Sequence, residues 1–408
     1  MKCRFCGAAV NVTVVDLGMQ PLSNAYISAD IADAMEPFFS LHPRVCEACF
    51  LVQLPELQSP ERIFTDYAYL SSMSNSWLEH CRRYAADMVE RFALDRSSLV
   101  VEVASNDGYL LQFFKERQIP VLGIEPAANV AAIANAAGIR SLPRFFGSAL
   151  AVELSGGGLR ADLLVGNNVL AHVPNVNDFV RGLATLLAAE GVLTMEFPHL
   201  GRLLAGTQFD TIYHEHFSYF SLGTAERIFK DHGLVIFDVD TVPTHGGSLR
   251  IYVRHASHTA RVVSERVAAL RKAEETEGLS RLETYVQFAE RVKEVKRKLL
   301  AFLIPLRRAG KHVVAYGAAA KGNTLLNYCG IRTDFIDYVV DRSPTKQGKV
   351  LPGSRIPIFA PERIAETRPD YVLVLPWNIK EEIAQQLSFV RSWGGRLVVP
   401  IPEVEVLE

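Results

Sequence analysis

The sequence predicts an α/β protein in three parts, the last two joined by a helical segment. Two observations support this prediction: Cys-x-x-Cys pairs stand near the N-terminus, and short β-branched runs alternate with helical patterns in two separate stretches. A chain of 408 residues is also long for a single domain. The predicted divisions are 1–72, 73–256, a helical linker at 257–305, and 306–408.

The composition is that of a folded chain without a strong net charge. Hydrophobic residues make up 49% and charged residues 22%, which excludes wholesale disorder. With 43 Lys+Arg against 45 Asp+Glu, no global field favours nucleic acid or an anionic membrane as partner. The sequence shows neither a signal-peptide core nor an apolar run near the ~18 residues of a membrane span. We therefore expect a cytoplasmic protein.

The first part carries Cys3-x-x-Cys6 and Cys46-x-x-Cys49. Each short turn points two thiolates inward, and two such turns supply the four ligands of a tetrahedral zinc ion. Four sulfurs leave no position open for water, so the predicted zinc is structural. Residues 10–39 between the pairs are expected to form an inserted loop or a small sheet.

The second part begins with a helical pattern over 75–91 and continues as alternating strands and helices. Such alternation specifies a mainly parallel sheet covered by helices. The last two strands flank Thr244-His245-Gly246-Gly247 and are expected to pair antiparallel, closing the sheet. The predicted strands are 98–104, 121–126, 161–166, 191–196, 234–239 and 248–253.

The third part repeats this alternation after a charged segment. Residues 260–305 are rich in Arg, Lys and Glu, with apolar residues at helical intervals, which predicts one or two long amphipathic helices. The following strands define a further α/β domain and are predicted at 312–317, 335–340, 371–375 and 396–399.

A polar turn follows the first strand of the second part, with the sequence Glu102-Val-Ala-Ser-Asn-Asp-Gly108. Open α/β sheets bind ligands at the carboxyl ends of their strands, and a turn of small residues lets a ligand approach the next helix. The turn lacks the G-x-G-x-x-G fingerprint of dinucleotide sites. Glu125, at the end of the second strand, is placed to bridge two ribose hydroxyls. Together they predict S-adenosylmethionine; an ordinary tight turn is the alternative.

The segment Tyr213-His-Glu-His216-Phe-Ser-Tyr219 crowds acid-base side chains into seven residues. Histidine can take a proton near neutral pH, a carboxylate can orient it, and a tyrosine hydroxyl can stabilise an oxyanion. This set suits enolisation of a carbonyl compound. A metal site built from His-x-His and Glu, or a plain surface loop, is the alternative.

Three further residues are candidates for contacts with a ligand. His172 follows the strand predicted at 161–166 and so lies at the same sheet edge as Glu102 and Glu125, although it could equally cap a helix. His245 could approach from the hairpin turn. Lys321 stands in a small-residue turn that suits a phosphate or diphosphate, although close packing of helix on strand explains the glycines there equally well.

Taken together, these motifs resemble the three-domain, zinc-containing, S-adenosylmethionine-dependent C-methyltransferases that act on nucleotide-linked deoxy-keto-sugars. The resemblance covers the whole chain. It rests on the cysteine pairs and on the motifs at 102–111, 167–174, 213–219, 244–250 and 317–323. It implies a class I methyltransferase Rossmann-like domain between an N-terminal zinc-binding domain and a C-terminal α/β Rossmann-like domain that binds the nucleotide sugar.

The resemblance also implies roles for individual residues. His216 would be the general base, supported by Tyr213, Glu215 and His172. The methyl donor would be held by Glu102, Ser105, Asp107, Gly108, Glu125 and Asn167. The substrate would contact Asn168, Tyr67, Tyr69, Tyr219, His245 and Lys321.

The implied reaction is methylation of C3 in a dTDP- or GDP-linked 4-keto-deoxy sugar. The keto group acidifies the C3 proton, so one positioned base can form the enolate, and no catalytic metal is needed. Two alternatives are a related enzyme acting on another carbonyl substrate and a non-catalytic zinc- and S-adenosylmethionine-binding interaction protein. Three domains can enclose a site within one chain, which favours a monomer.

Overall fold

The computed structural model describes residues 1–59, 70–73 and 75–407. The predicted substrate contacts Tyr67 and Tyr69 lie outside the described residues. Over the described ranges, no helix has both the length and the apolar character needed to cross a membrane.

The N-terminal part is built from short strands arranged around the cysteines. β1, β5 and β6 form one antiparallel sheet, and β2 pairs with β4. The small sheet predicted between the cysteine pairs is therefore present. The strands are β1 (Val12–Thr13), β2 (Met19–Gln20), β3 (Ile27–Ser28), β4 (Phe39–Ser40), β5 (Arg44–Val45) and β6 (Val52–Gln53).

The central domain begins with helix α1 (Asn75–Phe92), which buries Cys81, Tyr84, Ala85 and Met88 at helical intervals, as predicted. Its strands are β7 (Val100–Val103), β8 (Val121–Ile124), β9 (Ser141–Leu142), β10 (Ala161–Asn167), β11 (Leu187–Pro198), β12 (Ser218–Tyr219), β13 (Leu234–Val242) and β14 (Ser248–His255). Its remaining helices are α2 (Leu111–Lys115), α3 (Ala128–Ala136), α4 (Ser148–Gly156), α5 (Val176–Leu186), α6 (Leu200–Ala205) and α7 (Leu222–Asp231).

The main sheet of this domain has the strand order β9-β8-β7-β10-β11-β14-β13. β14 runs antiparallel to both its neighbours, and the other pairings are parallel, so the predicted hairpin does close the sheet. The order reverses between β7 and β10. Ligands bind outside the carboxyl ends of strands at such a switch point, and there the chain presents the 102–108 turn and the pair Asn167 and Asn168.

Two helices, α8 (Glu265–Thr276) and α9 (Leu282–Arg308), form the predicted amphipathic segment. The charged residues of α9 face solvent, and its apolar stripe is completely buried. This stripe belongs to one hydrophobic core with residues of the N-terminal part and of the C-terminal sheet. It consists of Tyr285, Phe288, Val292, Val295, Leu299 and Leu303.

The C-terminal domain is a second, mainly parallel sheet, of order β18-β16-β15-β19-β20-β21, in which β21 is antiparallel. Its switch point lies between β15 and β19. The strands are β15 (Val313–Tyr316), β16 (Val339–Val340), β17 (Lys349–Val350), β18 (Ile358–Phe359), β19 (Tyr371–Val374), β20 (Arg396–Val399) and β21 (Glu405–Leu407). The helices are α10 (Ala320–Cys329), α11 (Arg363–Thr367) and α12 (Lys380–Gln386).

Two strand pairings tie the N-terminal part to the other domains. β6 pairs with β12, which carries Ser218 and Tyr219 of the central domain. β3 pairs with β17 of the C-terminal domain. The N-terminal part therefore contacts both α/β domains, and its pairing with β12 brings it next to residues 213–219.

Candidate active site

The turn after β7 contains a backbone conformation that residues other than glycine rarely adopt. Gly108 has φ +82°, and a Cβ atom there would lie 2.6 Å from Ile139 Cδ1, so glycine is required. Glu125 fixes the turn from the end of β8. Its Oε2 accepts a hydrogen bond from the Asn106 N–H and its Oε1 accepts one from the Ala127 N–H, both at 2.9 Å.

The polar groups around this turn fit a nucleoside ligand. Within the described chain, Ser105 Oγ, Asp107 Oδ1 and Asn167 Oδ1 are buried and lack a hydrogen-bond partner. Burial raises the pKa values of the Glu102 and Glu125 carboxyls. Buried polar atoms are normally hydrogen-bonded, so hydroxyl or amino groups of a ligand would satisfy Ser105, Asp107 and Asn167. The adjoining cavity of about 490 Å³ is lined in part by Asp107, Gly108, Tyr109, Ile133 and Ile139.

The acid-base segment, defined as residues 209–219, begins with a 3₁₀ turn at Phe209–Thr211 and ends in β12. His216 Nδ1 lies 2.9 Å from the carbonyl oxygen of Thr211, and His216 Nε2 lies 2.9 Å from Tyr213 Oη. Because a carbonyl can only accept, Nδ1 carries the proton and Nε2 accepts from the tyrosine hydroxyl. Burial, with the charge of nearby His172, lowers the pKa of His216 well below its usual value. The ring is therefore a neutral base at neutral pH.

Two of the predicted aromatic partners surround His216. The His172 ring packs edge-on against it at 4.7 Å between centroids, and the Tyr219 ring lies at 6.1 Å. Burial lowers the pKa of His172 to about 4, although a hydrogen bond to the backbone of Glu215 opposes the shift. Two neutral imidazoles and two tyrosines thus share one enclosed site.

His214 and Glu215 face the N-terminal part, away from the His216–Tyr213 pair. Glu215 Oε1 accepts a hydrogen bond of 2.7 Å from Asn24 Nδ2, and burial raises the pKa of this carboxyl to about 7. The His214 ring packs edge-on against Phe39 at 5.9 Å. The role of orienting His216, for which the sequence suggested a carboxylate, is taken by the Thr211 carbonyl.

The metal alternative for the His-x-His motif finds no support in this geometry. In the parts of the chain that the structure describes, the one group of three or more ligand side chains close enough to share an ion is the cysteine cluster. The two histidines of the motif face different surroundings, because His214 packs on the N-terminal part and His216 faces Tyr213.

Asn168 and His245 meet across the cleft. Asn168 Nδ2 lies 3.1 Å from His245 Nε2, and the two residues have φ values of 54° and 55°. Backbone in this left-handed region is strained for residues other than glycine and is often found at functional sites. Burial lowers the pKa of His245 to about 4, so this ring is also neutral.

Lys321 is the second residue of α10 and lies near Asp210 of the acid-base segment. Its Nζ donates to Asn378 Oδ1 at 3.0 Å and lies 5.0 Å from the centroid of the Trp377 ring. The same indole donates from Nε1 to Asp210 Oδ2 at 2.7 Å. Asp210, Asn24 and Trp377 were given no role from the sequence. Nothing in the sequence indicated that these three residues, far apart in the chain, would meet the site.

The cysteines form a cluster with the geometry of a zinc site. The Sγ atoms of all four lie within 4.8 Å of one another, with Cys3 to Cys49 and Cys6 to Cys46 at 3.6 Å. A tetrahedral zinc ion with bonds of ~2.3 Å holds its sulfurs ~3.8 Å apart. Gln53 Nε2 donates to Cys3 Sγ at 3.2 Å, and this hydrogen bond helps to orient the sulfur. The residues present therefore fit zinc.

Comparison with known proteins matches each part of the chain. Residues 3–64 match the family model of a zinc binding domain, 77–239 that of a methyltransferase domain, and 243–402 that of the C-methyltransferase C-terminal domain. The C-methyltransferase NovU of Streptomyces niveus is 37% identical over 406 residues, which cover 100% of this chain and 96% of NovU.

Solved methyltransferase structures are similar to less than half of the chain. Magnesium protoporphyrin IX methyltransferase (ChlM) of Synechocystis PCC 6803 with bound SAH is 16% identical, with a TM-score of 0.36, over 48% of this chain and 92% of ChlM. An S-adenosylmethionine-dependent methyltransferase of Clostridium acetobutylicum ATCC 824 is 10% identical, with a TM-score of 0.35, over 44% of this chain and 92% of that protein.

The predicted fold class is confirmed by the matched methyltransferase domain together with the order and directions of the central strands. The cofactors are S-adenosylmethionine and a zinc ion, for which the cysteine cluster is suited. On the matches to all three parts and the full-length similarity to NovU, the chain belongs to the family of zinc-containing, S-adenosylmethionine-dependent C-methyltransferases.

Proposed function

We propose that this C-methyltransferase methylates C3 of a nucleoside-diphosphate-linked 4-keto-deoxy sugar, after His216 has removed the C3 proton. The observation that carries the proposal is the pairing of a neutral, buried imidazole with a tyrosine hydroxyl, 2.9 Å from Nε2 to Oη. This pair supplies the proton acceptor and the oxyanion donor that enolisation requires. The sugar substrate rests on the resemblance of the sequence motifs described above.

The methyl donor would be held by the residues at the ends of β7, β8 and β10. S-adenosylmethionine, when bound, supplies a methyl group activated by its sulfonium sulfur. Ser105, Asp107 and Asn167 offer the buried polar atoms described above, and Glu102 and Glu125 offer carboxyl groups beside them. Gly108 leaves the backbone of the turn open to the ligand.

The proton step can be followed atom by atom. In the free enzyme the Tyr213 hydroxyl donates to His216 Nε2. On substrate binding this hydroxyl would turn to the C4 carbonyl oxygen and leave the Nε2 lone pair free. Nε2 then takes the C3 proton, the electrons of the C–H bond move towards the carbonyl oxygen, and Tyr213 stabilises the enolate. The Thr211 carbonyl accepts from Nδ1–H throughout and stabilises the imidazolium that forms.

The substrate would span the central and C-terminal domains. Asn168 and His245, joined at 3.1 Å, would lie near the sugar, with Tyr219 behind His216. Lys321 reaches the same cleft from the switch-point side of the C-terminal sheet, where an α/β fold offers a site for a nucleotide. A dTDP- or GDP-linked sugar would meet both sets of contacts.

Mass spectrometry in deuterated water tests the proposal. The protein is mixed with S-adenosylmethionine and a panel of dTDP- and GDP-linked 4-keto-deoxy sugars, and fragmentation locates any added methyl group. Methylation at C3 is expected. Deuterium at C3 without methylation would support the base and argue against that sugar as the true substrate. If no sugar reacts while the donor binds, the proposal fails and another carbonyl substrate, or a binding role, becomes the better hypothesis.

Variants separate the base from the fold. His216→Asn should abolish both deuterium uptake and methylation, because asparagine cannot accept the proton. Tyr213→Phe should slow both by ~10²–10³-fold, the usual cost of removing one oxyanion donor. His312→Asn is the matched control, since 74% of the His312 side chain is exposed. Deuterium uptake at the wild-type rate in His216→Asn would disprove the base assignment.

A further inference from the structure

The first residues of the acid-base segment are held by contacts with the C-terminal domain. Trp377 Nε1 donates to Asp210 Oδ2 at 2.7 Å, and Thr324 Oγ1 donates to the Ile212 carbonyl at 3.1 Å. The ring of Tyr328 packs on Phe209 at 5.2 Å. Residues 209, 210 and 212 thus each have a partner in a domain that begins about a hundred positions later in the chain.

Among these contacts, loss of the Trp377–Asp210 hydrogen bond should cost the most free energy. Asp210 is completely buried, and an unpaired carboxylate in such a place is costly. Burial raises the pKa of Asp210 to about 6, and the nearby ammonium of Lys321 opposes the shift. Lys321 itself rests on the face of the Trp377 ring. The indole therefore both donates to the carboxyl group and positions the cation beside it.

The position of Asp210 is coupled to that of the base. Asp210 is the middle residue of the 3₁₀ turn Phe209–Thr211, and the next residue supplies the carbonyl that accepts from His216 Nδ1–H. A tilt of this turn would move the Thr211 carbonyl. The imidazole would then lose its fixed orientation and its single proton position. Misplacement of a reacting group by ~1 Å can cost ~10²-fold in rate.

We propose that Trp377 and Asp210 form an interdomain latch that fixes the Thr211 carbonyl and so sets the orientation and tautomer of the base His216. Both are positioning residues, because they act on His216 through the backbone. The inference rests on the proposed function and adds to it that the C-terminal domain holds the base in place, besides contributing to the substrate site.

Trp377→Phe tests the latch, because phenylalanine keeps an aromatic face for Lys321 and removes the N–H donor. Trp393→Phe is the matched control. Its Nε1 donates to the Pro369 carbonyl at 3.0 Å, in the same domain. With a sugar that the wild type methylates, Trp377→Phe should lower kcat by ~10²-fold. KM and the affinity for S-adenosylmethionine should change less than ~3-fold, and Trp393→Phe should match the wild type.

A second readout does not depend on the substrate. Nitrogen NMR of histidine-labelled protein, with His216 assigned from the His216→Asn spectrum, reports which ring nitrogen carries the proton. In the wild type Nδ1 should be protonated, whereas Trp377→Phe should shift the signals towards a mixture of tautomers. This outcome would support the latch even if every sugar in the panel failed to react, so failure of the two proposals can be told apart.

Substitutions of Asp210 cover the case in which Trp377→Phe does not fold. Asp210→Asn keeps an oxygen acceptor for the indole and should preserve the Nδ1–H signal of His216, whereas Asp210→Ala should lose it. If Trp377→Phe and Asp210→Ala both leave kcat and the His216 signals as in the wild type, the latch is disproved.

Discussion

At the scale of single residues, the orientation and the proton position of the His216 ring are set by the partners of its two nitrogens. The sequence motif indicated that residues 213–219 suit enolisation, and the family resemblance implied His216 as the base with Tyr213 in support. It could not reveal that a backbone carbonyl, that of Thr211, orients the ring. A main-chain acceptor leaves no signature in side-chain composition. For the same reason Glu215 was given the orienting role that its contact with Asn24 does not support.

Glu215 leads to a prediction about stability and pH. Burial raises its pKa from 4.5 to about 7, so the folded protein binds a proton on this group more tightly than the unfolded chain does. Its contribution to stability is therefore full below the unfolded pKa and is lost as pH rises through about 7. Glu215→Gln keeps an acceptor for Asn24 without the charge. We expect the variant to gain stability relative to the wild type between pH 5 and 8, by on the order of 1.4 kcal/mol per unit of pKa shift.

Denaturant unfolding of both proteins at pH 5 and pH 8 measures this difference. Glu226→Gln serves as control, because it makes the same exchange of carboxylate for amide at an ion pair with Arg271. Equal stability differences between Glu215→Gln and the wild type at the two pH values would contradict the prediction.

At the scale of elements, the alternation of β-branched runs with helical patterns predicted the long strands of the central sheet. The same pattern was less accurate for the bounds of short strands. The pairing of β13 with β14 and the buried stripe of α1 were expected. The strand predicted over 335–340 is reduced to β16, because the N–H groups of Phe335 and Ile336 donate to the Arg332 carbonyl and close a turn. Local hydrogen bonds of this kind override an apolar pattern.

The turn between β13 and β14 gives a prediction at this scale. Gly246 has φ +91°, and a Cβ atom there would lie 2.5 Å from Trp377 Cη2. Gly246→Ala should therefore destabilise the fold by ~1–2 kcal/mol from backbone strain and a further ~1–3 kcal/mol from overpacking. The clash would also move His245, the preceding residue, away from Asn168. We expect methylation to fall along with the free energy of unfolding.

Gly233→Ala separates the two effects. Gly233 also has a positive φ, of +72°, but a Cβ atom there would meet nothing within 4 Å. This variant should show the strain cost alone and retain full methyl transfer. If Gly246→Ala matched Gly233→Ala in both stability and activity, the packing of Trp377 on the hairpin turn would be irrelevant to the site.

At the scale of the whole molecule, the site is assembled by contacts between segments far apart in sequence. Asn24 meets Glu215, β6 pairs with β12, and Trp377 meets Asp210. Periodicity and motif spacing report on neighbours along the chain, so none of these three contacts could be predicted from the sequence. What could be predicted is the set of residues at the carboxyl ends of the central strands, because parallel strands place their ends at one edge.

The zinc ion acts at the scale of the whole molecule. It stabilises the N-terminal part, which contacts the acid-base segment through the β6–β12 pairing and through Asn24. Gln53 donates to Cys3 Sγ, and the same residue lies opposite Ser218 in the β6–β12 pairing. Removing zinc should release β6 from β12 and Asn24 from Glu215. We therefore expect chelation, or Cys46→Ser, to lower the melting temperature and to abolish most methyl transfer, although zinc takes no part in the chemistry.

Metal analysis, calorimetry and donor titration on the same samples test this expectation. The wild type should hold one zinc ion per chain, as a closed Cys₄ site requires. Cys329→Ala, which changes a buried thiol outside the cluster, should retain the metal. Affinity for S-adenosylmethionine should survive zinc loss, because the 102–108 turn is built on the central sheet. Full methyl transfer by the zinc-free protein would contradict the expectation. It would mean that the acid-base segment keeps its geometry when the N-terminal part has lost its zinc, and that the contacts to Asn24 and β6 have no bearing on the base.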